Sequence, residues 1–183
     1  MYPMERHRII FSGSGGQGII TASIIIAEAA VLYESLNAVQ VQSYGPEARG
    51  GATRADVIIS DRQILFPKVI QPNILICLTQ LAYDKFSGTI RPGGLLLVDS
   101  HFVTPGSRVD ARQISLDMYK AIMDDIGNPV VFNICMLGAL LGLTDIIKPA
   151  SVTEVLRVRV PRDFLDINEK ALKIGLAKAE EMR

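Results

Sequence analysis

The hydrophobic pattern alternates between short apolar runs and longer helical stretches from one end of the chain to the other. Residues 8–12, "RIIFS", are apolar and β-branched and stop at Gly13. From Gln17 to about Ser35 the helix formers run together, with Ile19, Ala22, Ile26, Ala29 and Ala30 near helical spacing. A strand, a glycine turn and a helix in that order open a βαβ unit. Residues 38–43, "AVQVQS", alternate as a second strand, and 55–60, "ADVIIS", supply a third. The continuous apolar runs "NILICLT" (73–79) and "GGLLLVDS" (93–100) suit strands covered on both faces.

Between and after them lie segments of helical character. "LAYDKFSG" reads as a short helix ending at Gly88, and Tyr83 and Lys85 belong to its packed and solvated faces. "VDARQIS" reads as a short strand, and "LDMYKAIMDDIG" as an amphipathic helix closed by Gly127. Asn133 is placed to cap the apolar helix "ICMLGALLGL", and "SVTE" (151–154) fits a capping box. Beyond Pro161 one long terminal helix follows, with Phe164, Ile167, Ala171, Ile174 and Ala177 on one face. Strands alternating with helices predict an α/β fold: a single three-layer, doubly wound domain over residues 1–183, with a mostly parallel sheet and a C-terminal helix.

Composition narrows the function classes. With 183 residues the chain is long enough for one well-buried core, and 49% hydrophobic content marks it as globular. Nineteen Lys+Arg balance nineteen Asp+Glu, which disfavours nucleic acid as the main partner. Low self-repulsion on an apolar chain fits a subunit partly covered by partners. Cys77 and Cys135 sit in apolar runs and form no C-x-x-C. They supply no cluster ligands, and His7 and His101 make no metal spacing with them. The apolar stretch from Gly18 to Tyr33 contains Thr21, Ser23 and Glu28 and falls short of a membrane span. The expectation is a cytoplasmic protein with no membrane and no nucleic-acid partner.

Two segments carry candidate chemistry. "GSGGQG" places Gly13, Ser14, Gly15, Gly16, Gln17 and Gly18 between a strand and a helix, with Gly13, Gly15 and Gly18 in the G-x-G-x-x-G pattern. Glycines there let the backbone approach a ligand, and helix-start N–H groups attract an anion. A dinucleotide site also needs an acid at the end of the second strand, roughly 20 residues on, to hold a ribose hydroxyl. That strand ends in Gln42 and Ser43, and Glu47 lies beyond a proline turn. The loop is therefore not the NAD fingerprint, and without Lys and a hydroxyl it is no triphosphate loop. Two readings stay open: a ligand or partner contact, or glycines that serve only close helix–sheet packing. The second segment is "SYGPEARGG": Ser43, Tyr44, Gly45, Pro46, Glu47, Ala48, Arg49, Gly50 and Gly51. Its turn residues would hold up the planar fork of Arg49, suited to carboxylate or phosphate. Arg49 could equally pair with Glu47, Asp56 or a helix C-terminus inside its own fold.

Together, "GSGGQGIITASIIIAEAA" and "QSYGPEARGGATRADVIISD" closely resemble the gamma subunit, or gamma domain, of the 2-oxoacid:ferredoxin (or flavodoxin) oxidoreductases. The "SYGPEARGG" form looks most like the 2-oxoglutarate enzymes. The resemblance continues through "PKVIQPNILICLTQLAYDKF", "GGLLLVDS" and "NICMLGALLGL", and is less distinctive from about Ser151. It implies a complex that decarboxylates a 2-oxoacid to an acyl-CoA and passes electrons to ferredoxin or flavodoxin. It further implies thiamine diphosphate with Mg and iron–sulfur clusters on alpha, beta and ferredoxin-like delta subunits. This chain would then bind no cofactor alone and supply no catalytic group. It would buttress the active site and help hold coenzyme A. A freestanding Rossmann-like nucleotide- or flavin-binding oxidoreductase is the competing reading.

Overall fold

The computed structural model of the chain describes residues 6–43 and 51–182. Six strands form one sheet in the order β2-β3-β1-β4-β5-β6. They are β1 (His7–Gly13), β2 (Asn37–Ser43), β3 (Thr53–Ser60), β4 (Ile74–Cys77), β5 (Gly94–Asp99) and β6 (Ala111–Leu116). The pairs β1–β4, β4–β5 and β5–β6 are parallel. β3 runs antiparallel to both β1 and β2, so β2 keeps the direction of β1 with β3 inserted between them. The mostly parallel sheet is as expected, with one reversed strand. That reversal follows from the short 44–52 connection, which has no room for the crossover helix that a parallel neighbour requires.

Side chains alternate across the sheet and build two unequal layers. Ile9, Phe11, Val57, Ile76 and Leu97 face α1 (Ile19–Tyr33), α3 (Met118–Asp125), α4 (Phe132–Leu143), α5 (Pro149–Arg159) and α6 (Arg162–Glu180). Ile10, Ile58, Leu75, Leu96 and Val98 face α2 (Gln80–Phe86) and the irregular segment 61–72. α4 is apolar on every side, and each residue from Phe132 to Leu141 is buried, as such a helix must be.

Three local expectations need correction. α6 buries Asn168, Ala171, Leu172, Gly175 and Ala179, while Phe164 and Ala177 are exposed. Small residues face α4 because the two backbones nearly touch: a Cβ on Gly175 would overlap the Cys135 carbonyl oxygen and lie 2.7 Å from the Ala139 nitrogen. Asn133 does not cap α4 but lies inside its first turn, and its amide donates to the Gly18 carbonyl at 3.3 Å. Nor does Ser151 begin a capping box. α5 starts earlier, with Pro149 in its first turn, where a missing N–H costs nothing. Glu34, just past the end of α1, takes the capping role, accepting from the Lys148 N–H at 3.0 Å and the Ser151 hydroxyl at 2.6 Å. Burial raises the Glu34 pKa, but these two donors outweigh it and hold the carboxyl below its ordinary value.

Candidate functional site

The two sheet layers part at one place. α1 leaves the carboxyl end of β1 toward the thick layer, and α2 leaves the adjacent end of β4 toward the thin one. A crevice outside such a divergence is where open α/β sheets take ligands. The glycine loop sits on it. Gly13 closes β1, and Gly18 caps α1 with φ 69°, a left-handed conformation that suits glycine. A Cβ on Gly18 would come within 2.5 Å of the Asn133 amide, so helix α4 fills that space. Gly13 is crowded by Gln17 and Ile19. These two glycines serve close packing. Gly15 and Gly16 are different: both are exposed, a Cβ at either position would meet nothing within 4 Å, and Gly16 has φ 89°.

Gln17 occupies the crevice itself. Its carbonyl oxygen accepts from the Ser14 N–H at 2.8 Å, and its amide donates to the Leu78 carbonyl at 3.2 Å, tying the loop to the end of β4. The Ser14 N–H is thus committed to the fold, and the open backbone is the Gly15–Gly16 tip. At the end of β2, Gln42 is exposed, and the described residues of that strand include no acid for a ribose.

Of the second segment, Ser43 closes β2 opposite Arg54, and half-buried Gly51 precedes β3. Tyr44, Gly45, Pro46, Glu47, Arg49 and Gly50 lie outside the described residues. Of the internal partners considered for Arg49, Asp56 is held by another arginine. Arg54 grips it with Nε at 2.6 Å and Nη2 at 2.8 Å. Arg54 was the residue to find: positions 54 and 56 of one strand share a face, so an Arg-x-Asp there is already a pair.

Sequence reasoning also passed over Asp99, which ends β5 fully buried. Its oxygens accept the N–H of His101 at 2.9 Å and of Tyr119 at 2.8 Å, latching β5 to the start of α3. Burial pushes its pKa up, against those donors. An acid closing an apolar strand was the available signal. His101 stacks on Tyr119, and Phe102, Tyr119 and Phe132 complete an aromatic cluster between β5 and α4. Cys77 and Cys135 are buried, and desolvation pushes both thiols up to about 12. They stay protonated and are packing groups, not nucleophiles. Among the described residues no group of three or more His, Cys, Asp or Glu is placed to hold a metal ion. No described helix is long and apolar enough to cross a membrane.

A six-stranded sheet with one reversed strand, and a glycine loop where its two helical layers diverge, defines the class: a doubly wound α/β domain. Residues 8–178 match the family described as "Pyruvate ferredoxin/flavodoxin oxidoreductase", and the chain belongs to that family. It is similar to the 2-oxoglutarate synthase subunit KorC of Methanocaldococcus jannaschii, 45% identical over 97% of this chain and 96% of that one. The crystal structure of a keto/oxoacid ferredoxin oxidoreductase gamma subunit from Geobacter sulfurreducens superposes with a TM-score of 0.89 at 40% identity, covering 97% of this chain and 98% of the other. The 2-oxoglutarate:ferredoxin oxidoreductase of Magnetococcus marinus shares the fold, with a TM-score of 0.86 at 21% identity. The match takes in 98% of this chain but 32% of that longer one.

Proposed function

We propose that this chain is the gamma-type subunit of a 2-oxoacid:ferredoxin oxidoreductase whose substrate is 2-oxoglutarate. It works in the cytoplasm as one domain over residues 1–183, beside alpha, beta and ferredoxin-like delta subunits. The complex decarboxylates the 2-oxoacid, captures the acyl group as its coenzyme A thioester, and reduces ferredoxin or flavodoxin. Thiamine diphosphate with Mg, and the iron–sulfur clusters, belong to the other chains. What carries the reading is the likeness to a 2-oxoglutarate synthase subunit, which runs almost end to end in both chains.

The role of this chain is to buttress and to hold. The Gly15–Gly16 tip offers backbone to an anionic group, and we assign it to a phosphate of coenzyme A. Gly13, Ser14, Gln17 and Gly18 set its shape. The segment Ser43, Tyr44, Gly45, Pro46, Glu47, Arg49, Gly50 and Gly51 is the partner or coenzyme A contact, with Arg49 as the cationic group.

The test is reconstitution with the partner subunits. The isolated chain is expected to be colourless and to reduce no viologen dye with 2-oxoglutarate and coenzyme A, while the assembled complex is brown and reduces the dye. Arg49→Ala in the complex should cost about 10- to 150-fold in activity, one charge-assisted hydrogen bond. Arg49→Lys should recover only part, because an ammonium lacks the planar fork. Turnover by the chain alone, or micromolar NADH binding, overturns the reading.

A further inference from the structure

Residues 61–72 join β3 to β4 without regular secondary structure, yet the segment is pinned. Val69 is buried; its carbonyl accepts from Arg54 Nη2 at 2.7 Å, and its N–H donates to Asp56 at 3.4 Å. Near the start, the Gln63 carbonyl accepts from Arg6 at 3.1 Å. Between and beyond these ties the segment points large apolar side chains outward. Leu65 is 83% exposed, Ile70 70% and Phe66 56%. An untethered connection would fold such side chains against the sheet. Here the Arg54–Asp56 pair clasps the backbone from beneath and keeps them displayed. Clustered exposed apolar groups of this kind mark interaction sites.

The surroundings are positively charged. An open groove of about 460 Å³ is lined by Arg8, Phe66, Lys68, Ile70, Gln71 and Arg91. That lining includes the cations Arg8 and Lys68 and, among the described residues, no carboxylate, on a chain whose formal net charge is +0. A neighbouring hollow shares Lys68 and Ile70 and adds Lys85; the carboxylate there, Asp56, is already paired with Arg54.

We propose that this cation-rimmed apolar surface is the docking face for another subunit of the complex, one presenting Asp or Glu side chains around an apolar centre. The inference rests on the gamma-subunit reading above. Charge complementarity selects such an occupant over a second copy of this chain. A two-fold contact through the same patch would set Arg8 and Lys68 against their own images, and like charges across an interface are repulsive.

The chain is co-expressed with its partner subunits, and subunit affinity is measured on the purified complex across salt concentrations. Three variants are compared: Lys68→Glu, the pair Leu65→Ser with Ile70→Ser, and Phe164→Ser on the exposed side of α6 as control. Lys68→Glu should weaken assembly about 10-fold and flatten its salt dependence. The double serine variant should weaken it about 30-fold or more, as loss of a hot spot does. The control should assemble like wild type. Each isolated variant should melt within about 2 °C of wild type, since surface changes cost little. Wild-type assembly matched by Lys68→Glu and the double serine variant overturns the docking face alone. So does a variant effect confined to self-association of the isolated chain. A wild-type chain that joins no oxidoreductase subunit overturns the functional reading, and this inference with it.

Discussion

The two faces of the sheet receive the same kind of strand side chain and are finished in opposite ways. Over one face five helices close a continuous core, and α4 and α6 approach until glycine is the residue that fits between them. Over the other lie one seven-residue helix and a clasped irregular segment, with Leu65, Phe66 and Ile70 left outside. Burying each of those three would stabilise the chain by about 1.5–3 kcal/mol. The thick face is built for stability. The thin face leaves that stability unrealised, and an ion pair holds the segment in place. A subunit that must both fold and assemble divides the two tasks between the faces of its sheet.

The comparison breaks most sharply in the thick layer. Gly175→Val would drive a branched side chain into the Cys135 carbonyl and the Ala139 nitrogen, backbone atoms that cannot swing aside. The expected cost is about 4 kcal/mol, at the upper end for overpacking. In a chain of this size that lowers Tm by about 8–16 °C, readable by calorimetry. A shift under about 2 °C would mean that α6 is loosely seated.

In the thin layer the corresponding change is Arg54→Ala. It leaves Asp56 nearly buried without its cation and frees the Val69 carbonyl. Breaking one side of such a pair costs about 3 kcal/mol, or about 6–12 °C. Removing Asp56 as well should restore part of the loss, because the two residues act as a unit. Unlike Gly175→Val, this variant should gain protease cleavage within 61–72 while the helical layer stays protected. Equal protection of both layers would show that the clasp serves the whole sheet, and the division between faces would fall.

Much of this was legible from hydrophobic pattern alone. All six strands and the helical order could be read because periods of 2 and 3.6 survive in short windows. What escaped lay in contacts distant in sequence. Asn133 reads as a cap until Gly18, 115 positions away, is placed beside it. Ser151 reads as a capping box until Glu34, 117 positions away, takes its hydroxyl. The α6 stripe was drawn along its large apolar residues, but a partner as close as α4 selects small ones. At the candidate site the glycine loop was visible as a pattern, yet its internal division was not. One spacing rule marks Gly13, Gly15 and Gly18 alike, whereas packing separates Gly13 and Gly18 from Gly15.

That separation yields the smallest expected effect and the finest test, at the rim where the two layers diverge. Gly18→Ala should cost about 2 kcal/mol: a left-handed backbone disfavours any side chain, and the new methyl meets Asn133. The corresponding fall in Tm is about 4–8 °C. Gly15→Ala meets nothing within 4 Å and is not among the residues with positive φ. Its stability should stay within about 0.5 kcal/mol, or about 1–2 °C. If the tip holds an anionic group of coenzyme A, that silent methyl should still raise the KM for coenzyme A in the assembled complex. The KM for 2-oxoglutarate should stay unchanged, because a methyl on the exposed tip interferes only with what approaches it. Equal destabilisation by both substitutions would make the whole loop framework. Unchanged kinetics in Gly15→Ala would place the coenzyme A contact elsewhere and leave the loop to join the thick and thin layers.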